Sequence, residues 1–211
     1  MSIVEQAKVS ESKMIDQSYG KFLQAVLVEQ NLTSAVEIYH HVRQIPYGSA
    51  GQRDPKTVYQ VNRGTCSGKH LLLRDLLRAA QFEAETLCIF THFNKGMPPH
   101  TSMPLALQRM INQELVSDFH NIVRLTLKRS ERPLLLDATW NDRMADFGFP
   151  VNMHWAGRKD TCLAGEIIRQ EEIREDLIVQ KAELLESLSD VELDIRKTFL
   201  ELLTGWISGL P

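Results

Sequence analysis

The stretch Val61-Asn-Arg-Gly-Thr-Cys66-Ser-Gly-Lys-His-Leu-Leu-Leu-Arg74 runs a glycine-bearing loop directly into a strongly apolar helix. Leu71, Leu72, Leu73, Leu76, Leu77 and Ala80 cover more than one helical face, leaving Arg74, Asp75, Arg78 and Gln81 to look outward. A helix apolar over most of its circumference belongs at the centre of a fold. Its first residue is Cys66. At a helix start, unpaired N–H groups and the positive end of the macrodipole converge, and a thiol placed there loses its proton more readily. The segment therefore predicts a central helix with a nucleophile at its end.

A nucleophilic Cys needs a base within hydrogen-bond reach and a third group to orient that base. The run Phe119-His-Asn-Ile-Val-Arg-Leu-Thr-Leu127 alternates like a strand with His120 at its head, and Pro133-Leu-Leu-Leu-Asp-Ala-Thr-Trp140 carries Asp137 after three leucines. With turn residues between them, these two runs predict a hairpin. His120 and Asp137 then emerge at the same sheet edge, and a bulge or offset would make them direct neighbours. An acid ending an apolar strand is costly unless hydrogen-bonded, and an imidazole N–H would satisfy it. Cys66, His120 and Asp137 are thus read as nucleophile, base and orienter. The backbone N–H of Cys66 would meet the oxyanion, helped by a side-chain donor from Gln60, Asn62 or Tyr59. Gly64 and Gly68 are expected to let backbone and substrate approach the sulfur.

Around this core the sequence alternates helical and strand signals. Ser12–Glu29 has a helical apolar period, and Ser34-Ala-Val-Glu37 is a capping box opening a second helix through Val42. Tyr47–Lys56 reads as a surface loop, Thr86–Phe93 as a strand and Leu105–Glu114 as a short helix. Asn94–Pro104 is irregular, either a lid or specificity element over the cleft or a plain mobile insertion. Asn141–Lys159 is also irregular. Leu163–Leu188 and Ser189–Trp206 predict two amphipathic helices, joined at a second capping box, Ser189-Asp-Val-Glu192. Helices, then a small antiparallel sheet, then helices predict an α+β fold. Residues 1–160 form the expected catalytic unit, and residues 161–211 a helical extension packed on the same domain or on a partner.

Composition excludes several function classes. A chain of 211 residues suits one well-cored domain, and 43% hydrophobic with 24% charged residues is ordinary for a soluble globular protein. The net charge of −3, without a basic block, argues against nucleic acid as a partner. The amino terminus lacks a signal-peptide layout, and no apolar run approaches the roughly 20 residues of a membrane span. Three scattered cysteines, Cys66, Cys88 and Cys162, suggest a reducing compartment and a cytoplasmic protein. Gly165–Leu203 carries eleven Asp/Glu against five Lys/Arg. This is expected to be a solvated face, the alternative being docking of the acidic helices on the basic remainder, a second copy or a protein partner. His40 and His41 cannot share a helix face, and Cys88 and His92 could share a metal only on a helix, so no metal or cofactor is expected. Gly64 to Lys69 has three residues between its glycines where a phosphate loop needs four, and His70 replaces the hydroxyl, which sets that motif aside.

Ile38–Glu85 resembles the front half of a transglutaminase-like domain, with a helix ending in Ile45-Pro-Tyr47, then Gly64-Thr-Cys66, then the Leu-rich helix. Leu136-Asp-Ala-Thr-Trp140 is similar to that family's Asp-Pro-Thr ending. The resemblance spans Ile38–Trp140. It implies a papain-like core in which a central nucleophile-bearing helix packs on a small antiparallel sheet, with helical extensions at both ends. It also implies the roles given above for Cys66, His120 and Asp137, acting without a cofactor on a peptide or protein amide through a thioester. Asn121 and Ile122 follow the His where a small residue and an aromatic are usual, Ala138 replaces Pro, and Gln81 replaces Gly, which leaves the substrate class open. The alternatives are a non-catalytic family member that binds a partner and an acetyl-coenzyme A-dependent acyltransferase built on the same three residues.

Overall fold

The computed structural model describes residues 17–48, 53–128 and 132–210. In chain order these form helices α1 (residues 17–29), α2 (Ala35–Arg43), α3 (Pro55–Val61) and α4 (Cys66–Ala79), then strand β1 (Glu83–His92) and helix α5 (Leu105–Gln113). Strands β2 (Ser117–Thr126), β3 (Leu134–Leu136) and β4 (Arg169–Gln170) follow, with helices α6 (Leu177–Leu185) and α7 (Asp190–Ser208) last. The four strands make one antiparallel sheet in the order β3-β2-β1-β4. The architecture is α+β.

Helix α4 is the hub. Leu72, Leu73, Leu76 and Leu77 are fully buried against α1, α2 and the sheet residues Val123, Leu125 and Leu136. Each leucine withdrawn from water contributes about 1.5–3 kcal/mol. A second apolar cluster gathers Phe93, Met97, Met103, Trp140, Phe149, Phe199 and Trp206, and it clamps α7 to the far end of the sheet. Both predicted capping boxes form, Ser34 with Glu37 and Ser189 with Glu192. None of the described helices is long and apolar enough to cross a membrane.

Four sequence expectations change. The loop expected over Tyr47–Lys56 ends at Asp54, which caps α3 by accepting from Thr57 N–H while Pro55 occupies the first helical turn, the preferred use of that pair; residues 49–52 lie outside the described set. The helix expected over Leu163–Leu188 is confined to α6. Residues 163–176 instead run along the edge of β1, where Ile89 pairs with Gln170, and a β-carbon on Gly165 would lie 2.5 Å from Thr91 Oγ1. The pairing satisfies the edge of β1, which outweighs the helical pattern. Asn94–Pro104, expected as a lid or a mobile insertion, is anchored near both ends. Asn94 is buried and donates to the carbonyls of Met110, Ile111 and Glu114, while its own oxygen accepts from Val116 N–H. Met97 and Met103 are in the core. Lastly, Gly64 and Gly68 serve packing. A β-carbon on either would lie 2.7 Å from a Val58 methyl, so these glycines let α3 close against the start of α4.

Candidate active site

The sulfur of Cys66 stands at the first turn of α4. Thr65 precedes it without a side-chain cap, and the first intrahelical bond runs from Lys69 N–H to Thr65 C=O. Among the described residues no protein acceptor meets the N–H groups of Cys66, Ser67 or Gly68. Three donors and the positive helix end thus converge beside the thiol.

The sheet brings the other two predicted residues to it. Leu136 pairs with Val123, so Asp137 continues opposite Ile122 and shares a face with His120, two residues along β2. Diagonal neighbours at this spacing are within side-chain reach, and no bulge is needed. His120 Nε2–H donates to Asp137 Oδ2 at 2.8 Å, both residues being buried. Oδ2 also accepts from Ala164 N–H and Oδ1 from Thr139 N–H, at 2.8 and 2.9 Å. The carboxylate is therefore fixed on both oxygens. His120 Nδ1 is buried without a partner of good hydrogen-bond geometry and is the ring atom left for the thiol. The charge of the ring acts on the Cys66 sulfur, and a catalytic pair need not be closely hydrogen-bonded before substrate arrives.

His70, one turn along α4 from Cys66, lies edge-on to His120 with ring centroids 5.7 Å apart. It accepts from Ala138 N–H on Nε2 and donates from Nδ1 to Cys66 C=O, at 2.8 and 2.7 Å. That pattern places no proton between His70 and Asp137 Oδ1 despite their 3.4 Å separation, so His70 braces the site and forms no ion pair there.

Charge around the sulfur favours a thiolate. Burial alone would raise the Cys66 thiol, but the Lys181 ammonium, and after it His120, outweigh burial and hold it well below the usual thiol range. His120 moves the opposite way. Burial would lower it, and the negative charges of Asp137 and Cys66 hold it well above an ordinary imidazole. Asp137 is kept far below the normal carboxylate range because His120 offsets its burial. Cys88 is the internal control, since burial pushes its thiol up to about 12.

A cavity of about 670 Å³ opens on Cys66. One wall is α7, which turns Arg196, Lys197, Leu200, Glu201, Thr204 and Gly205 toward it, a set spaced as one helical face. Tyr47, Asp118 and Lys181 line it nearer the sulfur. The three candidate oxyanion side chains do not. Gln60 and Asn62 are exposed at the end of α3, where Asn62 is a left-handed cap, and Tyr59 packs on Phe22 and His41. Lys69 points away from the cavity into the core, its ammonium donating to the carbonyls of Arg43, Ile45 and Thr139, which disposes of the phosphate-loop pattern. No group of three or more potential metal ligands occurs among the described residues.

Sequence reasoning missed Asp118, Lys181, Arg196 and Tyr47. Asp118 had a usable signal, because it stands two residues before His120 on a strand and so shares its face. Lys181 and Arg196 had none, since a polar residue on an amphipathic helix ordinarily faces water.

No family model and no curated protein matches the sequence. Among solved structures, the chain is similar to the crystal structure of a "putative cysteine protease" from Cytophaga hutchinsonii, with 14% identity and a TM-score of 0.39. The likeness covers 56% of this chain and 37% of that one, so it spans little more than a third of that protein's length.

Proposed function

We propose that this protein is a transglutaminase-like cysteine enzyme that cleaves or transfers the acyl group of a peptide or protein amide through a thioester on Cys66. The observation that carries this reading is the buried His120–Asp137 hydrogen bond together with a cavity that opens on Cys66; in keeping with it, nearby charge holds the Cys66 thiol low while burial pushes that of Cys88 high. Cys66 thiolate attacks the amide carbonyl, His120 gives its proton to the departing amine, and Asp137 fixes the ring and stabilises the imidazolium. Water or a second amine then resolves the thioester. The N–H groups opening α4 meet the developing oxyanion.

Thiol labelling tests it. With dilute iodoacetamide at pH 6, Cys66 is expected to react before the exposed Cys162 and far before Cys88, and His120→Ala is expected to abolish that preference. Labelling of Cys162 ahead of Cys66 in both proteins would refute the mechanism. Ammonia release from glutaminyl peptides, lost in Cys66→Ser, reads out the amide chemistry. Acetylation of Cys66 by acetyl-coenzyme A would point instead to the coenzyme-dependent alternative.

A further inference from the structure

Lys181 is accounted for neither by the relay nor by the resemblance, which ends 41 residues before it at Trp140. It is 2% exposed, with Nζ 3.8 Å from Cys66 Sγ and 3.4 Å from Asp118 Oδ1. A buried ammonium is costly unless opposite charges meet it, and here two do. Asp118 is itself immobilised, because Oδ1 also accepts from Arg196 Nε at 2.7 Å and from Phe119 N–H at 2.8 Å. Arg196 comes from α7 and Lys181 from α6, so two helices converge on one carboxylate of β2. An ammonium carries three donors; one is directed to Asp118 and another toward the sulfur.

We propose that Lys181 is the side-chain oxyanion donor of this site, placed beside Cys66 by Asp118 and Arg196 acting as positioning residues. The proposal rests on the reading of Cys66 as the nucleophile. As the sulfur lone pair forms the S–C bond, the carbonyl π pair moves onto oxygen, so the negative charge facing Lys181 passes to an oxygen attached to the same carbon. The cation stays within reach of the charge through the step, joined by the N–H groups at the start of α4. When the oxyanion collapses, its electron pair re-forms the carbonyl, the C–N bond breaks, and the proton on His120 leaves with the amine. Lys181 thus fills the place for which Gln60, Asn62 and Tyr59 were candidates. The titratable and charged groups that interact with Cys66 are Tyr47, Lys69, Cys88, Asp118, His120, Lys181 and Arg196. Of these, Lys181 is the cation whose ammonium points at the sulfur.

Two reactions separate this role from a structural one. Alkylation of Cys66 by iodoacetamide needs the thiolate but develops no oxyanion, whereas acylation by p-nitrophenyl acetate needs both. In Lys181→Met the alkylation profile is expected to move to higher pH, with about a tenfold loss at pH 6 for each unit its midpoint moves beyond pH 6. Acylation, compared at equal thiolate fraction, is expected to fall by a further factor of about 10²–10³. Lys181→Arg should recover most of both, and Lys181→Gln, which keeps a polar donor beside Asp118, serves if the Met variant does not fold. An acylation-to-alkylation ratio equal to that of the wild type would overturn the proposal and leave Cys66 as the nucleophile. Wild-type alkylation and acylation rates that persist in Cys66→Ser would overturn the parent reading instead.

Discussion

Replacing Asp137 by Asn removes one charge and two lone pairs from the most constrained group in the site. Oδ2 accepts from His120 Nε2–H and Ala164 N–H, and Oδ1 from Thr139 N–H. Whichever way the amide is turned, its NH₂ faces at least one of these donors. One unsatisfied buried donor costs about 1–3 kcal/mol, and at this size each kcal/mol lowers Tm by about 2–4 °C. The imidazolium also loses a charge-assisted hydrogen bond worth about 1.5–3 kcal/mol. The thiolate–imidazolium pair should weaken accordingly, by about 10- to 150-fold in the Cys66 ionisation constant, which for a thiol ionising at about 5 lowers the alkylation rate at pH 6 by about 2- to 15-fold. The assay is the pH dependence of the iodoacetamide rate constant beside a thermal melt. A lowered Tm with an unmoved Cys66 profile would show that Asp137 only holds the fold together, and the relay would have to be abandoned.

On the proposed mechanism the activity of the wild-type protein should rise as Cys66 ionises at about 5 and fall as His120 loses its proton at about 10, because that mechanism requires the thiolate and the imidazolium together; an alkylation profile rising only above pH 8 would contradict the thiolate assignment. Gly68→Ala is expected to destabilise by about 1–3 kcal/mol through its 2.7 Å approach to Val58, and Val58→Ala in the same chain should restore part of that in a denaturant melt. Gly205→Ala is expected to stabilise α7 by about 0.5–1 kcal/mol, since a β-carbon there meets nothing within 4 Å; a loss of stability would mean that the cavity wall is tighter than drawn. Acid should unfold the protein steeply. Asp137 and Asp118 are both held below the ordinary carboxylate range, so their stabilisation is complete above about pH 4 and is lost as pH falls through their folded values; Asp118→Asn should flatten that limb in a pH-dependent melt.

Helix α4 was legible because its six apolar positions cover more than one face and leave only Arg74, Asp75, Arg78 and Gln81 for water, so its central place follows from the pattern alone. The capping boxes were legible because each is a local exchange between Ser and Glu three residues apart. Cys66 could be picked out by its place at a helix start, and His120 and Asp137 by their places on two runs joined by a turn. Their pairing was expected to need a bulge or an offset, and the register supplies the offset by leaving them diagonal. The segment 163–176 misled because an apolar period cannot announce that a sheet edge is open for pairing. The anchoring of Asn94–Pro104 was not legible because the backbone groups that Asn94 meets, at Met110, Ile111, Glu114 and Val116, lie 16 to 22 residues away.

What the amino-acid sequence determined by itself is therefore the part set by short-range physics: a central helix, a thiol at its positive end, and a hairpin that carries a base and an acid. The tertiary structure decided the electrostatics of that thiol. Lys181 lies 115 residues from Cys66 along the chain, and its helix gives no sign of which way the ammonium points. Only packing of α6 and α7 over β2 removes water from Asp118, Lys181 and Arg196. In that dry setting their charges act strongly on the sulfur, because Coulomb energies grow as the local dielectric falls.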